Sequence, residues 1–332
     1  MGDFDLDTAT DRSPKARIAT VIVAGLVVVT IAIGALVLGR GDGVSAFSVN
    51  GKTTSQRSVD DELRALAENH ALGKLAAAGG GTFSQTSGSI NPQVSSGWIG
   101  LLIGQEVATQ EVAEQHLPTT AAARTQGRAL AIQSVSGMNV FRTLPQWFRD
   151  RLVKRWTPVA VDQLHLLEAN RAALDAQTRK SCTSGRFLAH ILVKTQAEAT
   201  TLAQQLAAGA DFAQLAAAHS TDTSSAANGG ELGCLDSLQL PTVMTTTTTT
   251  AAIGKVSDPI TLDNGFDLLV VRDAPSNSDL LSAALGAVLA KAQEAHVRVD
   301  ARYGRWDRSQ GAVSPPVVPE TVGNSASASP GA

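Results

Sequence analysis

Apolar residues recur at three- and four-residue spacing over 95–116, 119–136 and 145–177, a pattern that predicts three helices. Ahead of them, AFSVNGKTTSQRSVDDELRAL (46–66) reads as a short strand, a turn at Asn50 and Gly51, and a helix with Ser58 as N-cap and Asp61 at its third position. The Gly-rich stretch 79–88 reads as a loop. From Phe187 the period changes to two, so FLAHILV is a strand carrying Leu188, His190 and Leu192 on one face. Thr195 with Glu198 three residues on is a capping box that starts a helix ended by Gly209, and Asp211 caps a second over 212–218. A loop, a strand, a helix and two closing strands up to Asp273 follow. Strand, two helices, loop, strand, helix and two strands is the order an α+β layer needs to bury one sheet face. Residues 278–294 carry the caps and periodicity of another helix, residues from His296 alternate like a strand, and 314–332 is Pro, Ser, Ala and Gly without apolar period, hence disordered.

The stretch 18–39, IATVIVAGLVVVTIAIGALVLG, is largely apolar and carries no charge. At about 1.5 Å per helical residue it is long enough to cross a hydrocarbon core of about 30 Å, so a transmembrane helix in contact with the lipid bilayer is predicted. Arg12, Lys15 and Arg17 precede it against Arg40 just after, which leaves 1–17 as a cytoplasmic tail and sends the bulk of the chain across the cell membrane in a single pass. A cleaved signal peptide is the rival reading, since Val44, Ser45 and Ala46 form a small-residue site, although the apolar region exceeds the usual ~7–15 residues. With 332 residues, 43% of them hydrophobic, the chain can build two modest domains. A net charge of -3 and the lack of long charged runs argue against nucleic acid as a partner.

Cys182 and Cys234 fall in the exported part, where a disulfide can form; the alternatives are two small buried hydrophobes or two thiols too far apart to bridge. His70, His116, His165, His219 and His296 lack metal-ligand spacing, so neither metal nor cofactor is predicted. Trp147, Phe148 and Trp156 lie on or near one helix, either as core or as an apolar cradle for unfolded segments.

FLAHILVKT, STDTSSAANGGELG and KVSDPITLDNGFDLLVVRD, in this order, resemble a parvulin-type peptidyl-prolyl isomerase domain, placed at 183–274. The VNG strand leading into a helix is similar to the opening of the SurA and PrsA class of exported chaperones. The resemblance implies an α+β fold in which an antiparallel sheet with flanking helices is inserted into a mostly helical chaperone domain, made of 45–180 and 277–308. It further implies an extracytoplasmic isomerase and folding chaperone whose partners are unfolded or proline-containing exported polypeptides. A non-catalytic chaperone using a degenerate parvulin domain as scaffold is the alternative.

Carried over by position, His190 matches the family's first site histidine, and Asp222 its Asp or Cys, with Thr223 as the alternative. Leu240 and Met244 match the apolar pocket that receives the proline ring. Asp267 stands where a second histidine is common and is expected to form an ion pair with His190. Each has a plainer reading: His190 as a satisfied core histidine, Asp222 as a turn residue, Asp267 as no more than a neutralising partner. Gly229 and Gly230 read as a tight turn, and the run of threonines from Thr245 to Thr250 predicts a helix that is short, frayed or irregular.

Overall fold

The computed structural model describes residues 36–37, 43–78 and 89–316. The strands are β1 (Leu36–Val37), β2 (Ser45–Val49), β3 (Lys52–Ser55), β4 (Ser89–Ile90), β5 (Arg186–Val193), β6 (Glu231–Leu235), β7 (Ile260–Leu262), β8 (Gly265–Arg272), β9 (Val297–Val299), β10 (Arg305–Asp307) and β11 (Ala312–Ser314). The helices are α1 (Gln56–Ala67), α2 (His70–Ala78), α3 (Pro92–Glu114), α4 (Ala121–Gln133), α5 (Met138–Thr143), α6 (Gln146–Ser181), α7 (Gln196–Ala207), α8 (Phe212–His219), α9 (Thr242–Thr250) and α10 (Asn277–Ala290). Two compact units result, one ending at Asp162 and resuming at Val288, the other Gln163–Ala287. Sequence set the domain limits at 180/183 and 274/277. The division falls deeper in α6 and α10 because Leu167 and Leu174 of α6 bury against Leu280 and Ala284 of α10.

In the first unit, the sheet runs β3-β2-β9. Asn50 (φ 50°) and Gly51 (φ 87°) form the two-residue hairpin loop, the left-handed pair that suits the twist of its strands. That hairpin returns the chain as β3, a strand absent from the sequence reading, and moves the helix start: the α1 cap is Ser55, whose Oγ accepts from Ser58 N, rather than Ser58 itself. Phe148 and Trp156 are core, whereas Trp147 is 43% exposed. Buried Glu62 is held by Trp98 Nε1 at 3.0 Å, Arg151 at 3.0 Å and Arg155 at 2.6 Å, so each carboxyl oxygen has a donor.

Most of the apolar stretch 18–39 lies outside the described residues. Its described part, Leu36–Val37, pairs antiparallel with Ser89–Ile90, so the predicted helix does not reach Gly39; leucine and valine suit a strand as well as a helix. Among the described residues no helix is long and apolar enough to cross a membrane. Ser314, expected to open a disordered tail, instead pairs with Arg305 as part of β11, and 317–332 lie outside the described residues.

The second unit holds a four-stranded antiparallel sheet ordered β6-β5-β8-β7. One face, with Ala189, Ile191, Val193, Leu268 and Val270, buries against Ala199, Leu202, Phe212 and Ala216 of α7 and α8. The other carries Leu188, Leu269 and Val271 and is covered by Met244 of α9, with Leu240 and Leu235 alongside. From Phe187 to Val193, both faces of β5 are thus apolar except at His190.

Candidate active site

The period-two alternation of β5 puts His190 on the α9 face of the sheet, diagonally across from Asp267: in the register, His190 opposes Leu269 and Leu192 opposes Asp267. Asp267, fully buried, sits with Oδ1 3.1 Å and Oδ2 3.3 Å from His190 Nδ1. The hydrogen bond runs to Oδ2; Oδ1 is close enough for charge attraction but has no well-aligned donor among the described residues.

Asp222 comes from the loop after α8. That loop is tied to β5 at Leu192, whose O accepts from Thr221 N and Oγ1 at 2.7 and 3.1 Å and whose N donates to Ser220 Oγ at 3.2 Å. The tie brings Asp222 Oδ2 to 2.9 Å from His190 Nε2. Thr223 is exposed, so Asp222 rather than Thr223 is the loop residue that meets the histidine. Asp222 is itself fixed by Ser224, whose backbone N and Oγ donate to Oδ1 at 3.1 and 2.5 Å, and by Ser225 Oγ, which donates to Oδ2 at 2.7 Å.

Ser225, 3% exposed, also lies 3.1 Å from His190 Nε2. Sequence reasoning did not single it out. Its spacing of three from Asp222 was the available signal, because an Asp side chain turning back on its own loop meets residues two and three ahead.

Between two carboxylates, both ring nitrogens need a proton to hydrogen-bond, which only the imidazolium supplies. Burial pushes the His190 pKa down, but the hydrogen bonds and charges of Asp267 and then Asp222 outweigh it, and the net direction is up. For Asp222, burial acts upward and is overcome by the hydrogen bonds from Ser224, Ser225 and His190, so its carboxyl is held well below the usual range.

The glycine turn has a steric cause. Gly230 (φ 80°) accepts from His190 N at 2.9 Å, and a Cβ on it would stand 2.2 Å from His190 O. Only glycine lets β6 close this tightly on the histidine. Gly265 opens β8 in the same manner against Val193 O.

Leu240 and Met244 join the apolar wall beside His190's strand, Met244 nearly buried and Leu240 half-buried. The threonine-rich α9 is a regular nine-residue helix. Threonine hydroxyls bond back to carbonyls one turn earlier, Thr249 and Thr250 at 2.9 and 2.8 Å, while Met244 and Thr248 share its buried face. Packing of that face offsets the propensity loss that predicted fraying.

Cys182, just past α6, and Cys234 of β6 have Cα atoms 5.8 Å apart and are joined by a disulfide. Among the described residues no cluster of His, Cys, Asp or Glu could hold a metal ion.

The model of the family described as Rotamase: PPIC-type PPIASE domain matches residues 190–273. Over 86 residues the chain is 38% identical to the periplasmic chaperone PpiD of Haemophilus ducreyi, covering 26% of this chain and 14% of that protein. Over 91 residues it is 37% identical to the foldase protein PrsA of Exiguobacterium sibiricum, covering 27% of this chain and 30% of that protein. A crystal structure of PrsA from Bacillus subtilis aligns at 19% identity over 63% of this chain and 84% of that one, with a TM-score of 0.41. The chain therefore spans well under half the length of the two curated relatives. The family match opens on His190 and stops one residue past β8, so the sheet that carries the histidine matches the PPIC-type, or parvulin, PPIase domain model, and over this stretch the chain is similar to the PpiD and PrsA chaperones.

Proposed function

We propose that this chain is a peptidyl-prolyl cis-trans isomerase and folding chaperone for exported proteins, held at the outer face of the cell membrane by the apolar stretch that begins at Ile18. The observation that carries the isomerase reading is the His190 ring held from both sides by Asp267 and Asp222 beside the wall of Leu240 and Met244. Rotation about an X-Pro bond is opposed by about 18–20 kcal/mol of amide resonance, and no covalent step is needed to lower it. A site that grips the proline ring on an apolar wall and removes water from the carbonyl accelerates rotation if it fits the twisted amide better than the planar one.

In this reading Leu240 and Met244 receive the ring. Asp222 and His190, with side chains 23% and 12% exposed, face the rotating bond, while fully buried Asp267 acts through His190 as a positioning residue. The export and membrane assignments rest on the uncharged stretch from Ile18, the cation bias around it and the disulfide.

A second reading, a chaperone that does not depend on catalysis, is favoured by the open cleft of about 400 Å³ in the first unit, lined by Ala65, Pro145 and Trp147 and by the charged Asp61, Arg64, Glu68 and Arg151. Its exposed indole, with the Arg151 guanidinium 5.0 Å from the ring, is a surface for an unfolded segment.

Protease-coupled isomerisation of an X-Pro peptide by the full chain separates the two. The isomerase reading expects measurable kcat/KM, a fall of about tenfold to hundredfold for His190→Ala, the scale of one lost interaction of ~1–3 kcal/mol, and a rise for Asp267→His. Absence of activity together with suppression of client aggregation leaves the second reading. Activity indifferent to both substitutions overturns the site.

A further inference from the structure

The second unit exposes three large apolar side chains among its described residues: Leu238 (93%), Val243 (56%) and Ile253 (55%). Single exposed hydrophobics scattered over a surface need no explanation. These are not scattered. Leu238 is two residues from Leu240, Val243 is next to Met244, and Ile253 is two residues from Ala251, and all three neighbours belong to the apolar cluster on the His190 face of the sheet. The opposite face, covered by α7 and α8, has no counterpart among the described residues. At roughly 3.3–3.6 Å per residue, Leu238 Cα lies within about 7 Å of Leu240 Cα.

The loop holding Leu238 is built without using its side chain. Asp236 Oδ1 accepts from Leu238 N at 2.8 Å and from Gln239 N at 3.2 Å, and Gln239 Oε1 accepts from Asp236 N at 3.0 Å. This closed capping box fixes a short 3-10 helix, packed on α9, with the leucine turned out to water. Residues 237–254 carry no charged side chain. An occupant drawn to this wall has nothing there to pair a carboxylate, phosphate or ammonium group, and loses hydration if it brings one.

We propose that Leu238 and Val243 are specificity-determining residues: they form a lip that holds an uncharged apolar side chain of an extended polypeptide, adjacent to the proline whose ring lies on Leu240 and Met244. The lip selects X-Pro segments flanked by leucine-like residues over those flanked by acidic or phosphorylated ones. This rests on the isomerase reading above and adds the class of sequence it acts on.

The test uses the full chain and two sets of proline peptides, flanked by Leu or by Glu, with an Ala-flanked peptide as reference. Wild type should prefer the Leu set. Leu238→Ser combined with Val243→Ser should lower kcat/KM on that set by about tenfold, the scale of lost apolar contact in a specificity pocket, while changing the Ala peptide less than about twofold. Equal loss on all peptides, or no preference in the wild type, overturns the lip. If the wild type isomerises no peptide, the isomerase reading fails on its own, and the lip is judged by binding. In that case, methyl resonances of Leu238 and Val243 should shift on adding the Leu-flanked peptide and not the Glu-flanked one; methyls that stay still overturn the lip as well.

Discussion

Replacing Asp267 by asparagine removes one of the two charges that face the His190 ring while keeping the shape and one acceptor oxygen. In the wild type, Nδ1 faces the Asp267 carboxylate and Nε2 faces Asp222, so the ring has a reason to keep both protons. Hydrogen bonds to a charged group contribute about 1.5–3 kcal/mol, and burial of the ring opposes part of that. The net direction for His190 is a raised pKa in the folded state. Stability from this pairing is then fully present below the unfolded value of about 6.5 and is lost as pH rises through the folded pKa. Asp267→Asn should lower the His190 midpoint and reduce stability by about 1.5–3 kcal/mol on the acid side of that window, with a smaller difference at higher pH. The midpoint is read from the ring nitrogens by NMR titration, and the stability from urea unfolding of both proteins across the same pH range. A wild-type midpoint at or below about 6.5, or one unmoved by Asp267→Asn, would refute the paired-carboxylate account. A stability gap that grows as pH rises would refute the linkage.

Two further outcomes follow from the same unit. Reduction of the Cys182–Cys234 bridge, whose residues are 52 apart in sequence, should lower stability by about 4 kcal/mol on the chain-entropy argument; two freely alkylated thiols in native protein from an oxidising compartment would remove the bridge from the account. Gly230→Ala, with its new Cβ 2.2 Å from His190 O and a left-handed backbone to maintain, should cost about 2–4 kcal/mol and shift the urea midpoint without altering the slope; an unchanged midpoint would mean that β6 need not approach the histidine.

Local pattern alone determined much of this protein. The alternation in FLAHILV fixed which face of β5 carries His190, and the spacing in the helical stretches located α3, α4 and α6 to within a few residues, because period and capping are properties of neighbouring residues. The histidine, loop carboxylate and apolar pair were nameable from family resemblance, and Asp267 from standing where a second histidine is common. Tertiary structure decided the rest. Whether Asp222 or Thr223 meets the ring depends on hydrogen bonds that Thr221 donates to β5 and Ser220 accepts from it, some thirty positions away in sequence. Ser225 became a third partner through the same fold of the loop. Trp147 and Trp156 look alike in sequence, yet one is exposed and the other core, since exposure is set by what packs against a helix and not by the helix. The threonine run illustrates the same division: its intrinsic cost is legible residue by residue, but Met244 and Thr248 are held down by a sheet whose strands come from both sides of them in the chain, and that packing favours the helix.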